Sequence, residues 1–222
     1  MEMRTTYHKR LRDIQDNILS MGSMVNKAIL RSVEALKNRD LELARQLIAD
    51  DQTVNGKRFE IEEKCTELIA TQQPLASDLR VIVAILNITT EIERIGDYAV
   101  GIARIVIIIG DEPPLKPLID VPLMAEQTVS MLRRSLDAFV NRDAEVAREI
   151  AAEDDLVDGL YDQVFRELLT FMAEDPKTIT RAIRLMWTAH NLERAADRVT
   201  NICERVVFTV TGKMEEIGAS KY

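Results

Sequence analysis

The chain has 222 residues, 46% of them apolar but only 5% aromatic, and a formal net charge of −8 from 37 acidic and 29 basic side chains. That length suits one large domain or two of about 100 residues, with a core of Leu, Ile, Val, Ala and Met. The acidic balance argues against nucleic acid and anionic membrane as partners, since both are held by basic surfaces that release phosphate counterions.

Proline placement organises the chain. Pro113, Pro114, Pro117 and Pro122 crowd the midpoint, where no helix can run through them, while Pro74 and Pro176 each mark a break about two thirds of the way through a half. Three helices are predicted in the first half, at about residues 7–37, 40–72 and 77–109, with Asp40 as the cap of the second. The third has a clear apolar seam: Val81, Ile85, Ile88, Ile92, Ile95, Ala99, Ile102, Val106 and Ile109, in steps of four and three. That spacing belongs to long helices packed at shallow angles in a bundle. The apolar run at residues 99–109 is far short of the ~20 residues of a spanning helix and contains Arg104.

The second half repeats the first. Asn38-Arg39-Asp40 returns as Asn141-Arg142-Asp143, and the same shift of 103 carries Asp51 to Asp154 and Gly56 to Gly159. Beyond Pro74 and Pro176 the shift is 100, taking Glu93-Arg94 to Glu193-Arg194 and Asp97 to Asp197. This is a duplication. The expected fold is all-α, a tandem of two antiparallel three-helix bundles with six long helices. The units are expected at residues 1–111 and 123–222, with a proline-rich linker at 112–122.

With the seam at the a and d positions, Glu93 and Asp97 fall at b and f, one turn apart on the face turned away from the bundle core. The second copy extends the pair to Glu193, Asp197, Asn201 and Glu204, whose directions span under a quarter-turn at about 100° per residue. Such a strip of oxygen donors could floor a hard cation. In the first copy the last two positions are Gly101 and Arg104, and the arginine would oppose a cation there. Acid pairs on a polar helix face are ordinarily solvated. Here the face also carries Leu79, Val83, Leu86 and Val100, which points to a covering surface.

Other features read as structural. Asp51 with Asn55, and Asp154 with Asp158, are acids or amides placed early in a helix, where the dipole favours negative charge. His190 has no triad, Trp187 reads as core or interface filling, and Gly56 with Gly159 suggests close helix approach. Cys65 and Cys203 have no CxxC partner and read as buried, reduced thiols of a cytoplasmic protein. No phosphate-binding glycine loop, GxSxG or Glu-x-x-His motif is present.

The residues Leu79-Arg80-x-Ile82, followed by Ile92-Glu93-Arg94-Ile95-Gly96-Asp97, resemble the signature of the PhoU family. The second copy gives it again as Leu192-Glu193-Arg194-Ala195-Ala196-Asp197 with Asn201-Ile202 and Glu204. The resemblance covers nearly the whole chain. It implies a non-catalytic cytoplasmic regulator of phosphate uptake and of the phosphate-starvation response, an adaptor between the ATPase subunit of a phosphate ABC transporter and a sensor histidine kinase. It also implies a homodimer, with no nucleic acid partner and no insertion into the membrane. A divalent or trivalent metal ion (iron, manganese, magnesium, zinc or calcium) is expected at Glu93, Asp97, Glu193, Asp197, Asn201 and Glu204. Ile179-Thr180 replaces Leu79-Arg80 in the second copy, so the arginine does not carry over. The alternative reading is a metalloenzyme built on a carboxylate-bridged multinuclear site.

Overall fold

The computed structural model describes residues 2–217, with side chains from residue 6 onward. Helices α1 (Glu2–Asn38), α2 (Leu41–Gln72) and α3 (Ala76–Ile109) make the first unit. The second contains α4 (Asp120–Asn141), α5 (Ala144–Ala152), α6 (Asp154–Glu174) and α7 (Ile179–Thr211), with a short 3-10 turn at Pro176–Thr178 before α7. There is no strand among the described residues, and none of their helices is long and apolar enough to cross a membrane.

The turn chemistry follows the sequence. Asp40 accepts a hydrogen bond from the Leu43 amide at 2.9 Å, and Asp143 accepts one from Val146 at 3.1 Å. Each cap satisfies one of the free amides that open a helix. Pro122, expected in the linker, lies instead in the first turn of α4, where a missing N–H costs nothing.

One helix differs from expectation. The second helix of the second unit breaks at Glu153 into α5 and α6, whereas α2 runs unbroken. At the break the ladder tightens to three-residue bonds, Glu153 N to Ile150 O and Leu156 N to Glu153 O. The Glu153 carboxylate is drawn to α4, receiving Arg134 at 2.6 and 2.8 Å and Gln127 at 2.9 Å. In the first unit the corresponding pair, Arg31 and Asp50, is looser at 3.6 Å.

The α3 seam is buried as read: Ile85, Ile88, Ile92, Ile95 and Ile102 have no exposed surface, and only Ile109 at its end is partly open. Burial spreads beyond the seam to Ile82, Ala84, Thr89 and Ala103, because α3 packs against α1, α2 and α7 at once. Helices α3 and α7 cross at the centre and α1 lies against α4, so both units share one continuous core.

The crossing of α3 and α7 obeys the repeat. Asn201 on α7 donates to Glu91 on α3 at 3.2 Å. One hundred residues away, Asn191 lies against Gly101, where a Cβ would come within 2.7 Å of the amide oxygen. Residue 91 therefore meets 201 as residue 191 meets 101, the signature of two equivalent helices running antiparallel about a twofold axis. Gly101 is glycine because Asn191 takes its space. Gly56 and Gly159, by contrast, face open space, and the close approach expected of them is absent.

The linker is strapped down. Lys116, nearly buried, pairs with Asp120 at 3.1 Å and with Glu167 on α6; Asp120 itself is 6% exposed. Removing one partner of a buried pair strands the other charge. Lys116→Met is expected to lower stability by about 3 kcal/mol, measured by urea unfolding, while the exposed Arg166→Met changes it by under ~0.5 kcal/mol.

Candidate metal centre

The second unit gathers its acids from two helices. Asp154 and Asp158 stand one turn apart on α6, and Glu193 with Asp197 stand one turn apart on α7. Burial, followed by the charges of Asp158, Asp197 and Glu193, pushes the Asp154 carboxyl up to about 7. Burial and then Asp197 likewise push Glu193 up to about 7, and the same two causes raise Asp158. The charges of these four groups act on one another across α6 and α7, which makes them one electrostatic cluster. Two of its oxygens, Asp154 Oδ1 and Glu193 Oε2, are buried with no hydrogen-bond partner. Unmatched buried carboxylate oxygens are costly, and for that reason burial favours the protonated forms of Asp154 and Glu193.

The surroundings supply little positive charge. Arg194 reaches Asp197 Oδ2 at 2.6 Å. His190 brings Nδ1 to 3.4 Å from Glu193 Oε2 without hydrogen-bonding it, and burial, then Arg194, lowers its pKa, which keeps it neutral. Its ring stands edge-on to Trp187 and beside Tyr161. Trp187 is 58% exposed, so it fills no core.

The expected strip of donors on α7 divides. Glu193 and Asp197 turn towards α6 rather than to open solvent, and the Glu193 side chain is only 19% exposed. Asn201 is tied across the crossing to Glu91. Glu204 accepts from the Ile217 amide at 3.1 Å and so holds the C-terminal segment. The four donors read as one strip therefore serve three places. The reading of the outer face of α3 also divides. Leu79 and Val83 are exposed, while Val100 is buried, lining a cavity of about 220 Å³ with Met24, Leu47, Val54 and Gly96.

The first unit has the same framework and a different charge balance. Asp51 and Asn55 on α2 hydrogen-bond each other at 3.0 Å, and Glu93 and Asp97 face them from α3. Burial and then Asp51 raise the Asp97 carboxyl, while Arg104, Arg58 and Arg94 pull it down. Arg58 donates to Glu93 at 2.8 Å and to Glu62 at 2.8 Å. Sequence reasoning left Asp154, Asp158 and Arg58 out of the site. The signal available was the shift of 103, which carries Asp51 onto Asp154 and Arg58 onto Tyr161.

A family model described as "PhoU domain" matches the chain twice, at residues 18–106 and 121–206. The chain belongs to the PhoU family. The "Phosphate-specific transport system accessory protein PhoU homolog" of Aquifex aeolicus is 38% identical over 186 residues, which is 84% of each chain. Its counterpart in Zymomonas mobilis is 40% identical over 196 residues, 88% of this chain and 83% of that one. The crystal structure of PhoU from Pseudomonas aeruginosa matches with a TM-score of 0.88 at 36% identity, over 93% of this chain and 100% of that chain. The PhoU structure from Streptococcus pneumoniae, titled a phosphate transport system regulatory protein, gives 0.88 at 29% identity, over 94% of this chain and 99% of that chain.

Within this PhoU fold the second-unit cluster suits a metal ion. It offers carboxylate oxygens, the donors that hard cations prefer, and two of those oxygens are buried and unmatched. Among the described residues no three acidic, His or Cys side chains are already gathered round one point; Asp154, Asp158, Glu193 and Asp197 are the residues that would hold an ion. The first unit fits poorly, since Asn55 stands where the second has Asp158 and Arg58 already occupies Glu93.

Proposed function

We propose that this chain is a non-catalytic regulator of phosphate uptake and phosphate-starvation signalling. In this reading it is an adaptor that binds the ATPase subunit of a phosphate transporter and a sensor histidine kinase in the cytoplasm, as a homodimer. The names of its relatives, accessory and regulatory proteins of phosphate transport, support the regulatory role. The observation that carries the metal part is the four-carboxylate cluster between α6 and α7 with its two unmatched oxygens. When bound, an ion there neutralises the mutual repulsion and fixes α6 against α7. Asp154, Asp158, Glu193 and Asp197 hold it. Beside them the exposed Trp187, Phe165 and Leu169 offer an apolar surface of the kind that marks protein contacts.

Co-purification of the tagged full chain with the transporter ATPase and with the kinase tests the adaptor role. Both should be retained, and deletion of the gene should release the phosphate-starvation response. Retention of neither partner would end the reading. A metalloenzyme would instead show turnover in a substrate screen that disappears with Asp197→Ala.

A further inference from the structure

The two acid clusters have the same helical framework, yet one contains a cation of its own. Arg58 reaches across from α2 to Glu93 at 2.8 Å, with the two side chains 28% and 16% exposed. A second carboxylate, Glu62, receives its Nε at 2.8 Å, and the guanidinium carbon lies 5.6 Å from the centroid of the Phe59 ring, within reach of a cation–π contact. The hydrogen bond that Arg58 donates to Glu62 foremost, with Glu93 adding to it, favours the charged guanidinium. Burial raises the carboxyls of Asp51 and Asp97, and the charge of Arg104 opposes the rise at both. At the equivalent position the second unit has Tyr161, and its cluster keeps two buried oxygens without a partner; the first unit has no such orphan among its described acids.

We infer that the first unit carries no metal, because Arg58 fills that role as a built-in cation, and that metal binding in this chain is confined to the second unit. The physical ground is displacement. An incoming ion would have to strip Glu93 from a guanidinium held by three groups, and would then sit beside that positive charge in a region partly shielded from water, where like charges repel strongly. Asn55 in place of a fourth carboxylate removes a negative charge as well. The inference rests on the proposed metal binding at the second cluster.

The test uses the full chain stripped with chelator and titrated with Mn(II), an ion that favours carboxylate oxygens and whose free form is counted by electron paramagnetic resonance. Glu193→Gln with Asp154→Asn should reduce bound Mn(II) to background, whereas Glu93→Gln should leave it unchanged. Arg58→Tyr, which copies residue 161, combined with Asn55→Asp, which copies residue 158, should about double the bound Mn(II), and adding Glu93→Gln should cancel the gain. Arg58→Gln with Asn55→Asp repeats the measurement with a smaller side chain. Loss of Mn(II) on Glu93→Gln in the otherwise native chain, or no gain from either double variant, would overturn the inference while leaving the metal reading intact. A native chain that takes up no Mn(II) would overturn both.

Discussion

Ile92→Asp and Ile95→Asp are each expected to abolish the native fold. Both isoleucines lie at 0% exposure in the middle of α3, where α1, α2 and α7 close round the helix. Replacing either removes a large apolar side chain, at about 3 kcal/mol, and puts a carboxylate into the apolar interior, at about 3–5 kcal/mol more. The sum is comparable to the whole stability of an ordinary domain, about 5–15 kcal/mol. Thermal unfolding followed by circular dichroism should show a melt lowered by at least ~12 °C, or no cooperative melt at all. A variant melting within ~5 °C of the parent would show that α3 is not the central helix.

Asp154→Asn should act with opposite signs in the absence and presence of metal. The Asp154 carboxyl is raised from 3.8 to about 7 in the folded chain. Between pH 4 and 7 the folded state therefore keeps a proton that the unfolded state releases, and stability of the metal-free chain falls as pH rises through that window. Above it the loss is complete. The asparagine variant carries no such charge, so at pH 8 with chelator it should be the more stable protein, by about 2 kcal/mol once solvent screening is allowed for. Added metal reverses the order. The parent gains about 2.7 kcal/mol at an ion concentration a hundredfold above Kd, and the variant gains little because a ligand is missing. Metal affinity in the parent should fall below pH 7, as protons compete for the same oxygens. A variant less stable than the parent in chelator at pH 8 would mean that these acids are not in mutual repulsion.

Much of the fold was legible because it is written in periodicity. The seam from Val81 to Val106 fixes which face of α3 is buried, the prolines fix where helices stop, and Asp40 and Asp143 fix where they start. The break at Glu153 was not legible. The run Ala151-Ala152-Glu153-Asp154-Asp155 contains neither proline nor glycine, and the break is secured by Arg134 and Gln127 from another helix. The site was half legible for a related reason. Spacing shows that Glu193 and Asp197 share a face, but not which helix stands opposite, and that rotation decides whether Asp154 and Asp158 join them. The same ignorance of neighbours hid the hydrogen bonds that Asn201 and Glu204 make elsewhere. Spacing could not reveal that Glu91 and the Ile217 amide lie within hydrogen-bonding distance of them.

The crossing of α3 and α7 has a consequence for what such a chain can become. A pair of separate, identical three-helix proteins meeting about the same axis would have to carry one residue type at both symmetry-related places. Joined in a single polypeptide, the halves escape that constraint. Glu91 can be acidic while its mate Asn191 is neutral, and Arg198 can bind Glu91 where its mate is Tyr98. Covalent fusion thus turns a twofold-symmetric contact into an asymmetric one, giving the molecule two distinguishable sides.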